Sequence, residues 1–234
     1  MNRLKGSVAI VTGAGRGIGR AISRSLSAEG AVVVLAARSK NEIDAVAAEC
    51  SAQGPDALAV QTDLTRPGDI RNLIETAVKT FGKVDILVNN AGIGFFKPVV
   101  DLSVEEFDAM WNVNMRGAFL AIKQVIPLME QSGGGSIVNI GSLAGKNSVK
   151  NGAGYAATKW ALRGFASSLM LEVREKNVRI VTIFPGSVDT TFSKSNRSGR
   201  AITTPEDVAA AVIFAATVPS RSMVSEIDVR PTIP

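Results

Sequence analysis

The sequence predicts one α/β domain over residues 1–234, built as a doubly wound parallel sheet of seven strands flanked by helices on both faces. Short β-branched runs alternate with longer segments of helical periodicity along the whole chain. Most of these runs are apolar on both sides, as strands buried between two helical layers must be. A length of 234 residues and a hydrophobic fraction of 46% allow a single domain with a large core.

The predicted elements follow one another without a linker. The strands are expected at 7–11, 31–36, 57–61, 84–88, 136–140, 178–183 and 224–229. The helices are expected at 17–29, 40–53, 67–81, 103–130, 152–176 and 205–217. Pro67 and Pro205 fit first helical turns, while Ser103 and Glu106 have capping-box spacing. The segment 187–204 is rich in Ser, Thr, Gly and basic residues, which predicts a mobile flap over the substrate site.

Composition excludes several classes of protein. With no histidine and one cysteine, Cys50, the chain can form neither a His-based catalytic triad, a Cys/His zinc site nor an intramolecular disulfide, and no metal site is expected. The formal net charge is +5, but the basic residues are scattered and aromatic residues make up only 5%, so no nucleic-acid partner is expected.

Neither a membrane partner nor secretion is expected. No apolar run approaches the ~20 residues that span a bilayer. The first apolar stretch, 8–11, leads directly into a glycine motif that removal of a signal peptide would destroy. The sequence therefore predicts a soluble, cytoplasmic protein.

A glycine-rich turn between the first strand and the first helix predicts dinucleotide binding. There the backbone N–H groups and the positive helix end face a pyrophosphate, and the missing side chains allow close approach. A plain βα turn is the alternative. The turn reads Thr12, Gly13, Ala14, Gly15, Arg16, Gly17, Ile18, Gly19.

The end of the second strand favours NADP(H) over NAD(H). Folds that prefer NAD usually place a carboxylate there to hold the ribose 2′-hydroxyl. This strand ends without one, while Arg38 follows it and Arg16 projects from the glycine turn, which gives two guanidinium groups for a 2′-phosphate. The alternative is that both arginines are solvated surface residues.

The single tyrosine, Tyr155, lies four positions before Lys159 on a predicted helix, so the two side chains share one face. A neighbouring ammonium would lower the tyrosine pKa from about 10 and make Tyr155 a general acid/base. A structural tyrosine with an incidental lysine is the alternative.

Together with Asn89-Asn90-Ala91-Gly92 after the fourth strand, the glycine turn and the Tyr-x-x-x-Lys pair resemble the short-chain dehydrogenase/reductase family over essentially the whole chain. The resemblance implies a Rossmann-type fold and NADP(H)-dependent hydride transfer between the nicotinamide and a carbonyl or secondary alcohol.

The resemblance also implies roles for further residues. Ser142, thirteen positions before Tyr155, would hydrogen-bond the substrate oxygen; with no histidine to activate it, it is not expected to act as a nucleophile. Asn114, with Asn112 nearby, matches the family's fourth catalytic residue, which supports a proton relay, and Lys159 would also hold the nicotinamide ribose. The remaining implied cofactor contacts are Asp63, Leu64, Asn90, Ala91, Gly92, Pro185, Gly186 and Val188.

Substrate and assembly are less determined. The 3-oxoacyl-carrier-protein reductases typically end in Asp-Gly-Gly, whereas this chain ends in 231–234, Pro-Thr-Ile-Pro, and so is more similar to the branch acting on small 3-hydroxy acids. The family's dimers and tetramers imply contacts through helices 103–130 and 152–176. The sequence leaves the roles of two sets of residues undecided. The first set either lines the substrate pocket or makes core or dimer contacts, and it consists of Phe95, Phe96 and Phe192. The second set, Lys146 and Lys150, either attracts an anionic substrate or is solvated at the surface.

Two alternative functions remain. A noncatalytic NADP(H)-binding sensor or scaffold would be reached by losing the tyrosine or the lysine, and both are present. An epimerase or dehydratase would usually carry an added substrate domain, for which the single predicted domain leaves no room.

Overall fold

A computed structural model describes residues 2–192, 202–219 and 221–232. Its centre is one sheet of seven parallel strands in the order β3-β2-β1-β4-β5-β6-β7, which confirms the predicted fold class. The strands are β1 Val8–Thr12, β2 Val32–Ala37, β3 Leu58–Gln61, β4 Ile86–Asn89, β5 Gly135–Ile140, β6 Val178–Pro185 and β7 Glu226–Val229. Each lies within about two residues of its predicted range.

Helices cover both faces of the sheet. They are α1 Gly17–Ala28, α2 Lys40–Ser51, α3 Pro67–Phe81, α4 Val104–Trp111, α5 Ala118–Gln131, α6 Ala153–Val173 and α7 Pro205–Thr217. Apolar residues of α1, α2 and α7 form one core with the sheet, and those of α3, α5 and α6 form a second core on the opposite face. Cys50 is buried in the first of these cores.

Local signals in the sequence fix several helix starts. Ser103 accepts a hydrogen bond from the Glu106 N–H while Glu106 accepts one from Ser103, so the predicted capping box is present. Thr204 and Asp207 form a second capping box at α7. Pro67 and Pro205 each begin a helix, where the missing N–H costs nothing.

The predicted helix 103–130 is wrong in one respect, because it is not a uniform α-helix. A π-helical segment, Asn112–Gly117, separates α4 from α5. The wider turn carries Asn114, whose side-chain amide is hydrogen-bonded to the backbone of Ile93, and π-helical turns often occur at functional sites. The segment is only six residues long, which is too short for its wider turn to change the hydrophobic periodicity visibly.

The two ends of the predicted flap are joined to each other. Val188 and Thr203 form a parallel β-bridge, and Thr203 donates from both its N–H and its hydroxyl to the Ser187 carbonyl. Residues 193–201 of the predicted flap lie outside the described residues. Whether the segment covers the substrate stays a prediction.

The site follows from the strand order. β1 lies between β2 and β4, so the chain reverses its direction of travel across the sheet at the β1/β4 pair. In doubly wound sheets, ligands bind beyond the carboxyl ends of the strands at such a point. The glycine turn follows β1 and Asn90 follows β4, and both therefore lie at this edge. Within the described part of the chain, no helix is long and apolar enough to cross a membrane.

Candidate functional site

The glycine turn has a backbone shape that side chains would prevent. Gly13 and Gly17 have φ of +64° and +52°, in the left-handed region that favours glycine. A Cβ added at Gly19 would lie 2.1 Å from the Gly13 carbonyl oxygen, so α1 packs directly on the turn. The arrangement leaves an open cradle at the first turn of α1, which is what a pyrophosphate group requires.

Asn90 and Thr12 fix the turn from the neighbouring strands. The Asn90 side chain donates to the carbonyls of Thr12 and Gly13, at 2.9 and 3.1 Å. The Thr12 hydroxyl accepts from the N–H groups of Asn90 and Ala91, at 3.0 and 3.2 Å. These four bonds join the ends of β1 and β4 into one unit.

A surface cavity of about 520 Å³ lies at the ends of β2 and β3. Arg38 and Asp63 face it, as the cofactor hypothesis expects for a ribose phosphate and an adenine. Burial acts to raise the pKa of Asp63, but hydrogen bonds from Thr65 and the charges of Arg38 and Arg66 outweigh it and hold the pKa below its ordinary value. The cavity is lined by Arg38, Gln61, Asp63, Arg66, Asp69 and Asn72.

Glu42 is a residue that the sequence analysis missed. It lies in the first turn of α2, and its carboxylate reaches the glycine turn, where a Cβ added at Gly15 would lie 2.9 Å from Oε2. The strand end carries no carboxylate, as the sequence indicated, yet the helix that follows supplies one next to Gly15. Nothing in the local pattern distinguishes Glu42 from an ordinary first-turn glutamate.

Tyr155 lies near the start of α6 and is 8% exposed. Burial raises its pKa to about 12, and a hydrogen bond with Ser142 acts in the opposite direction. The prediction that Lys159 lowers this pKa is therefore wrong for the protein without a ligand. The Lys159 ammonium donates to the Ile140 carbonyl at 2.9 Å and lies 5.8 Å from the centre of the tyrosine ring, so it does not offset the lost solvation.

Lys159 is almost fully buried, one turn along α6 from Tyr155. Burial lowers its pKa to about 8, because no carboxylate compensates for the solvation that the ammonium loses. A Cβ added at Gly92 would lie 3.6 Å from Nζ, so the Asn90-Ala91-Gly92 segment reaches from the glycine turn to the lysine. The two halves of the predicted site meet along this segment.

Asn114, rather than Asn112, is the buried amide at this place. Its Oδ1 accepts from the Ile93 N–H at 2.8 Å, and its Nδ2 donates to the Ile93 carbonyl and to the Thr158 hydroxyl, at 2.9 and 3.0 Å. Thr158 in turn donates to the Tyr155 carbonyl. Asn114 therefore ties the segment after β4 to the helix that carries Tyr155 and Lys159.

The remaining predicted site residues are placed as follows. Leu64 and Val188 are buried in the two cores, so only their backbones are available to a ligand. Pro185 ends β6, and the Gly186 N–H donates to Val229 of β7. Ile18 packs partly buried against the first core. A Cβ added at Gly186 would lie 3.1 Å from the side chain of Leu143, so the glycine leaves room for Leu143, the residue that follows Ser142.

The suggestion that Lys146 attracts an anionic substrate is wrong. Its ammonium is paired with Glu226 and Asp228 of β7, at 2.8 and 2.7 Å, and lies over the ring of Phe184. Lys146 therefore joins the loop after Ser142 to the last strand. Lys150 is exposed, in keeping with the solvated alternative.

The protonation of Tyr155 can be tested directly, because it is the only tyrosine. A folded-state pKa near 12, above the ordinary 10, means that the phenol stays protonated as the pH rises through 10 and 11. We expect little phenolate absorbance from the folded, ligand-free protein in this range, with at most about a tenth of the phenol ionised at pH 11. The guanidinium-unfolded chain, which restores solvation, should titrate near pH 10. Phenolate absorbance appearing in the folded protein below pH 9 would contradict the burial argument.

The shared sheet edge, glycine cradle and buried tyrosine–lysine pair are the layout of a dinucleotide-dependent oxidoreductase. Residues 7–201 match the family model for short chain dehydrogenase. An uncharacterized oxidoreductase of Staphylococcus aureus strain MW2 is 38% identical over 232 residues, which cover 99% of this chain and 100% of that protein.

Two solved structures are similar over nearly the whole chain. A metagenomic short-chain oxidoreductase in complex with NADP has a TM-score of 0.88 and 39% identity, covering 99% of this chain and 100% of that one. A 3-ketoacyl-(acyl-carrier-protein) reductase from Brucella melitensis complexed with NADH has a TM-score of 0.89 and 34% identity, covering 97% and 98%. The chain therefore belongs to the short-chain dehydrogenase/reductase family, and it is an oxidoreductase acting on CH–OH or carbonyl groups.

Proposed function

We propose that the protein is an NADP(H)-dependent carbonyl reductase that interconverts a ketone or aldehyde and the corresponding alcohol, with Tyr155 as the general acid/base. The observation that carries this proposal is the continuous path from the glycine turn through Asn90-Ala91-Gly92 to the buried Lys159, one helical turn from Tyr155. A sensor or scaffold would need the cradle but not a buried ammonium beside a phenol.

The residues present fit a nicotinamide dinucleotide. A side chain at Gly13 or Gly19 would collide with Ala91 or with the Gly13 carbonyl, so glycine keeps the turn tight. The turn lies at the start of α1, where the first backbone N–H groups have no helical partner. Arg16 and Arg38 would hold the ribose phosphate, Asp63 the adenine, and Lys159 the nicotinamide ribose. When bound, the reduced cofactor supplies the hydride that the carbonyl carbon accepts.

The chain's own residues supply the proton. Tyr155 is protonated at neutral pH, and it donates that proton to the carbonyl oxygen while the new C–H bond forms. Ser142 hydrogen-bonds the same oxygen and orients it. The resulting phenolate is attracted by the Lys159 ammonium, although that attraction does not outweigh the cost of burial, and it is reprotonated from solvent, for which Asn114 holds the relay segment. In the reverse direction, the phenolate accepts the proton of an alcohol.

Two observations bear on the choice between NADPH and NADH. Arg38, which lines the cavity, and the exposed Arg16 favour the extra phosphate, as does the NADP complex of the metagenomic relative. The Brucella melitensis reductase is complexed with NADH, and Glu42 brings negative charge to the glycine turn. We propose that the two guanidinium groups outweigh the one carboxylate.

Charge substitutions test this cofactor preference. Arg38→Gln should lower the ratio of kcat/KM for NADPH to that for NADH by about 10-fold or more, since a charge-assisted hydrogen bond contributes about 1.5–3 kcal/mol. Glu42→Gln should raise the same ratio. Arg71→Gln, at an exposed arginine of α3, is the control and should change neither value. A wild-type preference for NADH would overturn the two-arginine argument.

The substrate class needs a panel of carbonyl compounds. The 3-ketoacyl reductase among the similar structures favours 3-oxoacyl compounds, and small 3-hydroxy acids are the other class to be compared. The pairing of Lys146 removes one reason to expect an anionic substrate. The test is loss of NADPH absorbance with 3-oxoacyl thioesters, small ketones, diketones and sugars. If NADPH binds but no carbonyl compound is reduced, the result supports the alternative function of a sensor or scaffold.

We also propose that the protein assembles as a homotetramer or homodimer through the long helices. Phe107 and Trp111 of α4 stack at 6.5 Å with 38% and 40% exposure, and Phe119 of α5 meets Phe165 of α6 at 5.9 Å. Large rings left in water on adjoining helices are typical of a surface that another subunit covers. Light scattering in solution tests the assembly. The cytoplasmic location stays a prediction.

A further inference from the structure

Three aromatic rings meet at the reaction centre. The centre of the Phe96 ring lies 5.2 Å from that of Tyr155, the Phe192 ring lies 5.8 Å from Tyr155, and the two phenylalanines are 6.4 Å apart and edge-on. These separations and tilts are those that aromatic rings prefer. We call Phe96, Phe192 and Tyr155 the aromatic cluster.

The backbone at Gly94 makes the cluster possible. A Cβ added there would lie 2.9 Å from Phe96, 3.1 Å from Phe192 and 3.1 Å from Tyr155, so all three rings close on the space that a side chain would take. Phe95, one residue on, packs partly buried against the small core of Met110, Ala144 and Tyr155, whereas Phe96 and Phe192 make the ring contacts. Of the three phenylalanines considered from the sequence, two therefore face the reaction centre.

The cluster covers the phenol but is itself open. Tyr155 is 8% exposed, whereas Phe96 and Phe192 are 49% and 46% exposed. Apolar ring surface left in water is unfavourable, and a ligand with an apolar face would bury it. Exposed Val149 extends the same apolar side, because Val149 and Phe96 both border Gly152.

Two ammonium groups close to the cluster are already paired with carboxylates. Lys97, which follows Phe96 in the chain, is bonded to Glu106 at 2.8 Å. Lys146, in the loop after Ser142, is held by Glu226 and Asp228. Neither of these two ammonium groups is therefore available for a carboxylate or phosphate on the substrate, while the half-exposed rings of Phe96 and Phe192 offer stacking and apolar contact.

We propose that the aromatic cluster binds an aryl group attached to the substrate carbonyl, so that the preferred substrates are aryl ketones and aldehydes rather than 3-oxoacyl thioesters or small hydroxy acids. This inference rests on the proposed function and specifies its substrate. The aryl ring packs against Phe96 and Phe192, and the attached carbonyl oxygen lies toward the Tyr155 hydroxyl and Ser142. Binding of the substrate's aryl ring thereby fixes the position of the attached carbonyl carbon, which accepts the hydride.

The kinetic test compares acetophenone with cyclohexyl methyl ketone, which differ only in the aromaticity of the ring. Because acetophenone is less reactive on its own, the informative quantity is the change of the kcat/KM ratio between variants. Phe96→Leu and Phe192→Leu keep an apolar side chain and should each lower the acetophenone to cyclohexyl ketone ratio by about 2- to 10-fold, the worth of one aromatic pair. Phe214→Leu, at an exposed phenylalanine of α7, should leave the ratio unchanged.

A binding test separates this inference from the proposed reaction. Tyr155→Phe keeps the third ring but removes the acid, so NADP⁺-loaded protein binds alcohols without turnover. In that background, 1-phenylethanol should bind more tightly than 1-cyclohexylethanol by calorimetry, and Phe192→Leu should reduce the difference.

Each outcome decides between the two claims. Unchanged ratios in both leucine variants, or acetoacetyl-coenzyme A outperforming acetophenone in kcat/KM, overturn the aryl site while leaving carbonyl reduction intact. A wild-type protein that reduces no carbonyl compound but discriminates the two alcohols overturns the proposed reaction and supports the aryl site.

Discussion

Tyr155→Phe should leave the protein folded and able to bind NADPH while lowering kcat/KM for ketone reduction by about 10²- to 10⁴-fold, the usual worth of a positioned general acid. The phenylalanine ring keeps the contacts with Phe96 and Phe192, and the only group lost is the hydroxyl that hydrogen-bonds Ser142. The loss should therefore appear in catalysis and not in stability.

Three measurements check this expectation together: NADPH consumption with an accepted ketone, NADPH affinity by fluorescence, and thermal unfolding. Removal of the acid alone predicts a change in the first only. If cofactor oxidation persists at the wild-type rate, Tyr155 is not the acid. Because no other tyrosine is present, no second phenol can substitute for it.

Gly19→Ala should abolish cofactor binding and weaken the fold. The new methyl group would lie 2.1 Å from the Gly13 carbonyl oxygen and 2.6 Å from the Asn90 amide nitrogen, and the first of these is backbone that cannot turn aside. We expect NADPH affinity to fall by at least about 100-fold and unfolding free energy by roughly 1–3 kcal/mol, the usual cost of overpacking.

Gly164→Ala is the matched control, since Gly164 also lies in a helix but has open space where the Cβ would go. That change should stabilise the protein by up to about 1 kcal/mol, because alanine favours helix more than glycine does. Denaturant unfolding and NADPH titration on both variants separate the steric effect from helix propensity. Normal NADPH binding by Gly19→Ala would show that the turn can relax and that its tight packing is not required.

The fold could be predicted from the sequence because local signals and burial agreed. Val8–Thr12 is fully buried, and its apolar run marked β1 within one residue. The Ser103 and Thr204 capping boxes likewise depend on neighbours three residues away. The glycine turn could be predicted because close backbone packing requires glycine at fixed positions, and those glycines are visible in the sequence. Interactions between residues that are close in sequence can therefore be predicted from the sequence alone.

What the sequence did not reveal depends on tertiary neighbours. The pKa of Tyr155 is set by burial beneath rings that lie 59 and 37 positions away, at Phe96 and Phe192, and the spacing to Lys159 carries no information about that. The partners of Lys146 lie on β7, and Glu42 reaches Gly15 only once α2 has docked. Each of these interactions changes the charge or the protonation at the candidate site.

The four hydrogen bonds between the Thr12–Gly13 and Asn90–Ala91 segments determine what a truncated fragment of the chain can do. They connect residues 77 to 79 positions apart, so the shape of the glycine turn is completed by a strand encoded far downstream. A fragment ending before β4 would carry every glycine of the motif and still lack the scaffold that holds them. Capture of NADPH should accordingly report that the central strands have paired, which makes it a readout of refolding as well as of ligand recognition.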